Sequence, residues 1–94
     1  KEYHVQSDDY TILADTSDSA ITVTLPPACN NAGRILIIKK INSNRFKLNS
    51  HQLKVNVLEG LIDFQTQITI KNNYATRTVQ SDGENWWLIS KVGS

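Results

Sequence analysis

Apolar residues in this chain recur with a period of two, in short runs separated by turn formers, and no window keeps a helical period beyond two turns. Successive side chains of a strand point to opposite faces. The pattern therefore confines the chain to short β-strands that each bury one face. "AITVTL" (20–25) is the cleanest case, with Ile21, Val23 and Leu25 on one side and Thr22 and Thr24 on the other. Pro26 and Pro27 end it, since neither can donate to a ladder. "RILIIKKI" (34–41) breaks the alternation with four consecutive apolar residues, as expected of a strand covered on both faces.

The other expected strands are "YTILA" (10–14), "RFKLN" (45–49), "LKVNV" (53–57), "TQITIK" (66–71), "YATRTVQ" (74–80) and "NWWLISKV" (85–92). "DTSDS", "NSN" and "SDGE" read as turns, "PPACNNAG" as a loop or single helical turn closed by Gly33, and Gly60 as a bend. Asn72-Asn73 predicts a hairpin joining the strands at 66–71 and 74–80, because asparagine tolerates positive φ. Several short strands with turn signals between them predict one all-β domain over residues 1–94, a small antiparallel sandwich or barrel-like fold. A chain of this size buries only about 60–65% of its unfolded surface, so its core is thin.

Two adjacent tryptophans, Trp86 and Trp87, sharpen that point. In a strand they cannot both enter one core, so one needs a second surface. That surface is another subunit, a ligand, or nothing. Cys29 is the only cysteine, so no disulfide forms within the chain. It reads as a small packed residue rather than a nucleophile.

The formal net charge of +1 hides a strong asymmetry. Residues 1–33 sum to −4, residues 34–58 to +6 without a single acid, and residues 59–94 to −1. A basic middle attracts polyanions by steering and counterion release, although lysine on exposed strands also simply discourages edge-to-edge aggregation. Nucleic acid is the weaker polyanion, because single-strand binders interleave aromatics for stacking. Only Phe46 falls in this stretch. An oligonucleotide-binding barrel fits the length and little else.

Catalytic patterns are thin. His4 and His51 stand far apart, "G-x-S-x-G" is absent, and no strand–turn–helix elbow is present. Asp8-Asp9 or Asp15 with Asp18 could pair across a glycosidase cleft, but turn acids are explained by capping nearby amides. "DTSDSA" lacks the glycine and bidentate glutamate of a calcium loop. One cysteine and two scattered histidines build no zinc site within one chain, and a three-fold site at His4 or His51 is the remote alternative. No phosphate-cradling glycine loop is present. The expectation is a non-enzyme without metal or cofactor. No apolar run approaches the about 20 residues of a membrane-spanning helix. No signal peptide is visible, and the chain opens without Met, as a piece of a longer protein would.

Three motifs in order carry a resemblance: "DYTILADTSDSAITVTLPPA", then "AGRILIIKKI", then "SDGENWWLI", spanning Tyr10 to Ile89. Together they resemble the small β-domain at the C-terminus of phage tail fibres and tailspikes, which also caps collagen-like viral and bacterial surface proteins. The middle, "RFKLNSHQLKVNVLEGLIDFQ", departs from that family's Gly- and Thr-rich stretch. The resemblance implies a homotrimeric C-terminal head that ends an extracellular fibre, on a virion tail or a bacterial surface, and often touches the host surface, where polysaccharide is the expected ligand. Trp86, Trp87, Leu36 and Ile38 are then the expected trimer interface. For an anionic or sulfated glycan such as a glycosaminoglycan or lipopolysaccharide, Arg45, Lys47 and Lys54, followed by Lys39, Lys40 and Arg34, are the expected charge contacts. Asn49, Asn56 and His51 would add hydrogen bonds. A trimerisation clamp without any ligand is the competing expectation.

Overall fold

The computed structural model describes residues 1–44, 46 and 50–93, and within them every long element is a strand. In chain order these are β1 (Glu2–His4), β2 (Thr11–Asp15), β3 (Ile21–Leu25), β4 (Ile35–Ile41), β5 (Leu53–Val57), β6 (Gln67–Ile70), β7 (Thr76–Ser81) and β8 (Trp86–Val92), with one 3-10 turn at Ala28–Asn30. They form two four-stranded sheets, ordered β1-β3-β5-β6 and β2-β4-β7-β8. The all-β expectation holds. The expected strand at 45–49 falls largely on residues 45 and 47–49, outside the described residues.

The sheets are mixed rather than purely antiparallel. β1 with β3, β3 with β5 and β2 with β4 pair in parallel, while β5 with β6, β4 with β7 and β7 with β8 pair antiparallel. The cause lies in the chain path. Through its first half the chain alternates between sheets, so two strands of one sheet are separated by a strand of the other and run the same way. Parallel neighbours need such a crossover, which a tight turn cannot supply.

The same path overturns the hairpin across Asn72-Asn73. β6 pairs with β5 in one sheet and β7 with β4 and β8 in the other, so this turn carries the chain across the sandwich. The left-handed residue is Tyr74 (φ 67), not an asparagine. Its hydroxyl donates to the Asn42 carbonyl at 2.9 Å and its amide donates to the Lys40 carbonyl. The "SDGE" turn does join a hairpin, β7 to β8. There Asp82 Oδ1 accepts the amides of Glu84 (2.8 Å) and Asn85 (2.9 Å), and Gly83 takes φ +96, where a side chain would be strained.

Inward alternation builds the core between the sheets. Val23, Leu25, Leu53, Val55 and Ile70 from one sheet meet Leu36, Ile38, Val79 and Trp86 from the other, all fully buried. Trp86 is the largest of them, and its indole N–H donates to the Pro26 carbonyl at 2.9 Å, which satisfies the one polar group it carries inside. Three of the expected interface residues, Trp86, Leu36 and Ile38, are thus core residues with no surface for a neighbour. Cys29 is exposed rather than packed.

Candidate functional site

The register places the outward side chains in cross-strand rows. On β1-β3-β5-β6 one row is Glu2, Thr22, Lys54 and Thr69, and the next is His4, Thr24, Asn56 and Gln67. Every one is polar. Thr24 donates its hydroxyl to Asn56 Oδ1 at 2.8 Å, and His4 lies 3.3 Å from the Glu2 carboxylate. Two expected ligand residues, Lys54 and Asn56, therefore share one face.

The outward rows of β2-β4-β7-β8 differ. They run Asp15 and Ile41, then Leu13, Lys39, Thr76 and Val92, then Thr11, Ile37, Thr78 and Ser90, and last Ile35, Gln80 and Trp87. Leu13 and Val92 are 61% and 64% exposed, while Ile35, Ile37, Ile41 and Trp87 are half-buried. β4 is thus apolar toward both sides, but only its inner side is covered. Charge here is confined to Lys39 and Asp15. The Asp15 carboxyl is held down to about 2 by the Ser43 hydroxyl and by the Ser17 and Ser43 amides, the capping role read from "DTSDS".

The remaining basic residues do not gather. Arg34 spends its guanidinium on the carbonyls of Gln6 (2.7 Å) and Asp9 (2.8 Å) and on Asn31 Oδ1 (3.1 Å), tying down the segment before β2. Lys40 is buried at 1% exposure, where its ammonium donates to Asn73 Oδ1 at 2.8 Å and to the Ser50 hydroxyl. Burial lowers the affinity of that amine for its proton. His51 is exposed and donates its amide to the Thr16 carbonyl at 3.0 Å. Lys39 and Lys54 project from opposite sides of the sandwich. Arg45, Lys47 and Asn49 lie outside the described residues. Among the described ones, the basic middle is dispersed over both sheets and the core.

At the corner of the apolar face lies an open hollow of about 470 Å³, lined by Gly33, Gln80, Ser81, Asp82, Trp87 and Ile89. Trp87 is held in two ways. Its indole N–H donates to Asp82 Oδ2 at 2.8 Å, and the Phe64 ring meets it edge-on, with centroids 4.9 Å apart and planes at 78°. Asp82 in turn is kept below the usual carboxylate range by the amides of Asn85 and Glu84 and by Trp87. Phe64 reaches Trp87 from a two-residue turn in which both Asp63 (φ 49) and Phe64 (φ 61) are left-handed. Such conformations cost about 1–3 kcal/mol each for non-glycine residues and persist only where surrounding contacts hold them. Here Asp63 donates its amide to the Trp86 carbonyl (3.0 Å) and accepts the Leu88 amide on Oδ1 (2.8 Å).

Reading the sequence missed Asp82, Gln80 and Phe64 as companions of Trp87. "SDGENWW" carried a signal for Asp82, since a turn-capping aspartate precedes the tryptophans by only a few residues. Phe64 had none, because its approach depends on a left-handed turn at a non-glycine pair. Among the described residues, no group of three or more His, Cys, Asp or Glu side chains is arranged to hold a metal ion. No described helix is long and apolar enough to cross a membrane. No family model, curated protein or solved structure matches the chain.

Proposed function

We propose that this chain is the homotrimeric end domain of a fibrous attachment protein, of the kind that closes phage tail fibres, tailspikes and collagen-like surface proteins. In that role it trimerises the fibre and holds host-surface polysaccharide. The observation that carries the proposal is the contrast between the outer faces. The β2-β4-β7-β8 sheet turns Leu13, Ile35, Ile37, Ile41 and Val92 outward with little charge, as a strand set awaiting a second cover does. A thin domain gains stability from such association by mass action. The opposite face, with Lys54, Asn56, His4, Thr22, Thr69 and Gln67, stays hydrated and available to a glycan.

Light scattering tests the first part, with three times the chain mass expected and a monomer at all concentrations overturning it. Calorimetric titration with heparin, at low and near-physiological salt, tests the second. Binding that weakens steeply with salt and falls in Lys54→Ser supports an anionic glycan. A clamp without ligand is the second reading. It is favoured by the internal hydrogen bonds that occupy Arg34 and Lys40, and it predicts no heparin binding even at low salt.

A further inference from the structure

We infer that the corner hollow at Trp87 is a subsite for one uncharged pyranose unit, with the indole as stacking platform and Asp82 and Gln80 as hydroxyl acceptors. The inference rests on the polysaccharide part of the function proposed above and adds to the polar face named there a second contact, at the corner of the β2-β4-β7-β8 sheet beyond the Leu13–Ile37–Val92 area. The hollow is open to solvent and about 470 Å³ in volume, room for one sugar ring lying on its floor rather than for an enclosed ligand.

An aromatic platform works when its ring is already oriented, because little freedom is then lost on binding. Trp87 meets that condition through its hydrogen bond to Asp82 and its edge contact with Phe64. The face of an indole is the negative side of its quadrupole. It attracts the weakly positive C–H groups on one side of a pyranose, while the hydroxyls at the rim seek acceptors.

Those acceptors are in place. A carboxylate offers about four lone-pair sites. On Asp82 three are engaged, by the Glu84 and Asn85 amides and the Trp87 indole, which leaves a site for a hydroxyl. Gln80 donates its amide N–H to the Gly33 carbonyl at 3.2 Å, so its Oε1 is left to accept. Gly33 lines the hollow with no side chain, and a Cβ there would meet no atom within 4 Å. An ionised Asp82 repels sulfated and carboxylated sugars, so this corner selects uncharged units even if Lys54 holds anionic ones elsewhere.

The two indole N–H signals of the full chain in an NMR spectrum provide the test, since Trp86 is buried and serves as internal standard. The probes are maltohexaose, cellohexaose and mannohexaose, with heparin hexasaccharide as the charged comparator. The expected result is a saturable, millimolar shift of the Trp87 signal with at least one neutral probe while Trp86 stays still. Gln80→Ala and Asp82→Asn are expected to weaken that response several-fold. A Trp87 signal unmoved by every neutral probe, or moved more by the heparin fragment, overturns the inference. So does a Trp87 signal that changes with protein concentration alone, which would place the ring in a subunit contact. Light scattering on the same sample keeps the outcomes separate. A monomer that still shows the sugar shift retains the subsite and loses the trimer. Heparin binding without any neutral-sugar shift loses the subsite alone.

Discussion

The two sheets bury equivalent inner faces and present opposite outer ones. β3 (ITVTL) and β4 (ILIIKKI) both send β-branched and leucine side chains into the same core. Outward, β3 offers Thr22 and Thr24, where β4 offers Ile35, Ile37 and Ile41. A β-sandwich core asks only that alternate residues be apolar. What the other residues are is left free for use outside the core. In this molecule one sheet spends that freedom on hydration and the other leaves an apolar surface uncovered.

The largest expected effect separates the inside from the outside of that second sheet. Trp86→Ala should lower unfolding stability by about 3–5 kcal/mol through cavity formation. Trp87→Ala, at an open corner, should stay below about 1.5 kcal/mol, well short of the core value. Denaturant titration of both variants at low protein concentration checks this, and equal losses would erase the inside–outside distinction.

Next comes the comparison of faces itself. Ile37→Asp should abolish assembly in light scattering while leaving the monomer folded, because a charge in an apolar contact is left without a partner. Thr22→Asp, its counterpart on the polar face, should leave assembly unchanged. If both variants assemble normally, the apolar face is not the contact surface.

A smaller effect concerns pH at the margin of the apolar face. The Asp15 carboxyl sits at about 2 when folded against an ordinary 3.8, so the unfolded chain binds its proton first as pH falls. Its stabilising contribution is present above the ordinary value of 3.8 and is lost progressively as pH falls through that value toward about 2. Asp15→Asn should therefore flatten part of the acid-side decline in thermal stability within that window. An unchanged decline would show that the Ser17 and Ser43 contacts contribute nothing measurable.

The smallest expected effect lies on the polar face. Lys54→Ser should change stability by no more than about 0.5 kcal/mol, as surface substitutions usually do. Its consequence belongs in the heparin titration instead, as a shallower salt dependence. A large stability loss would mean that Lys54 supports the sheet rather than a ligand.

Some of this was legible beforehand and some was not. The strands β2 to β8 all fall within a residue or two of where alternation and turn formers put them, although β6 and β7 do not pair with each other. β1 was missed, because three exposed residues, Glu2, Tyr3 and His4, show no apolar face to betray a strand. The basic middle misled differently. A run of charges in sequence is not a patch in space when neighbouring strands belong to different sheets and one lysine, Lys40, points inward.

By itself the sequence determined that this chain is all-β, where most strands begin and end, and that one of two adjacent tryptophans must leave the core. These are local matters, settled by backbone stereochemistry and by a period of two. Only the tertiary structure decided which strands pair, that three of the pairings are parallel, that Trp86 is the inner tryptophan and Trp87 the outer, and that Asp82 and Phe64 converge on Trp87. Pairing depends on which distant apolar faces fit together across the core, and no residue carries that information in its own neighbourhood.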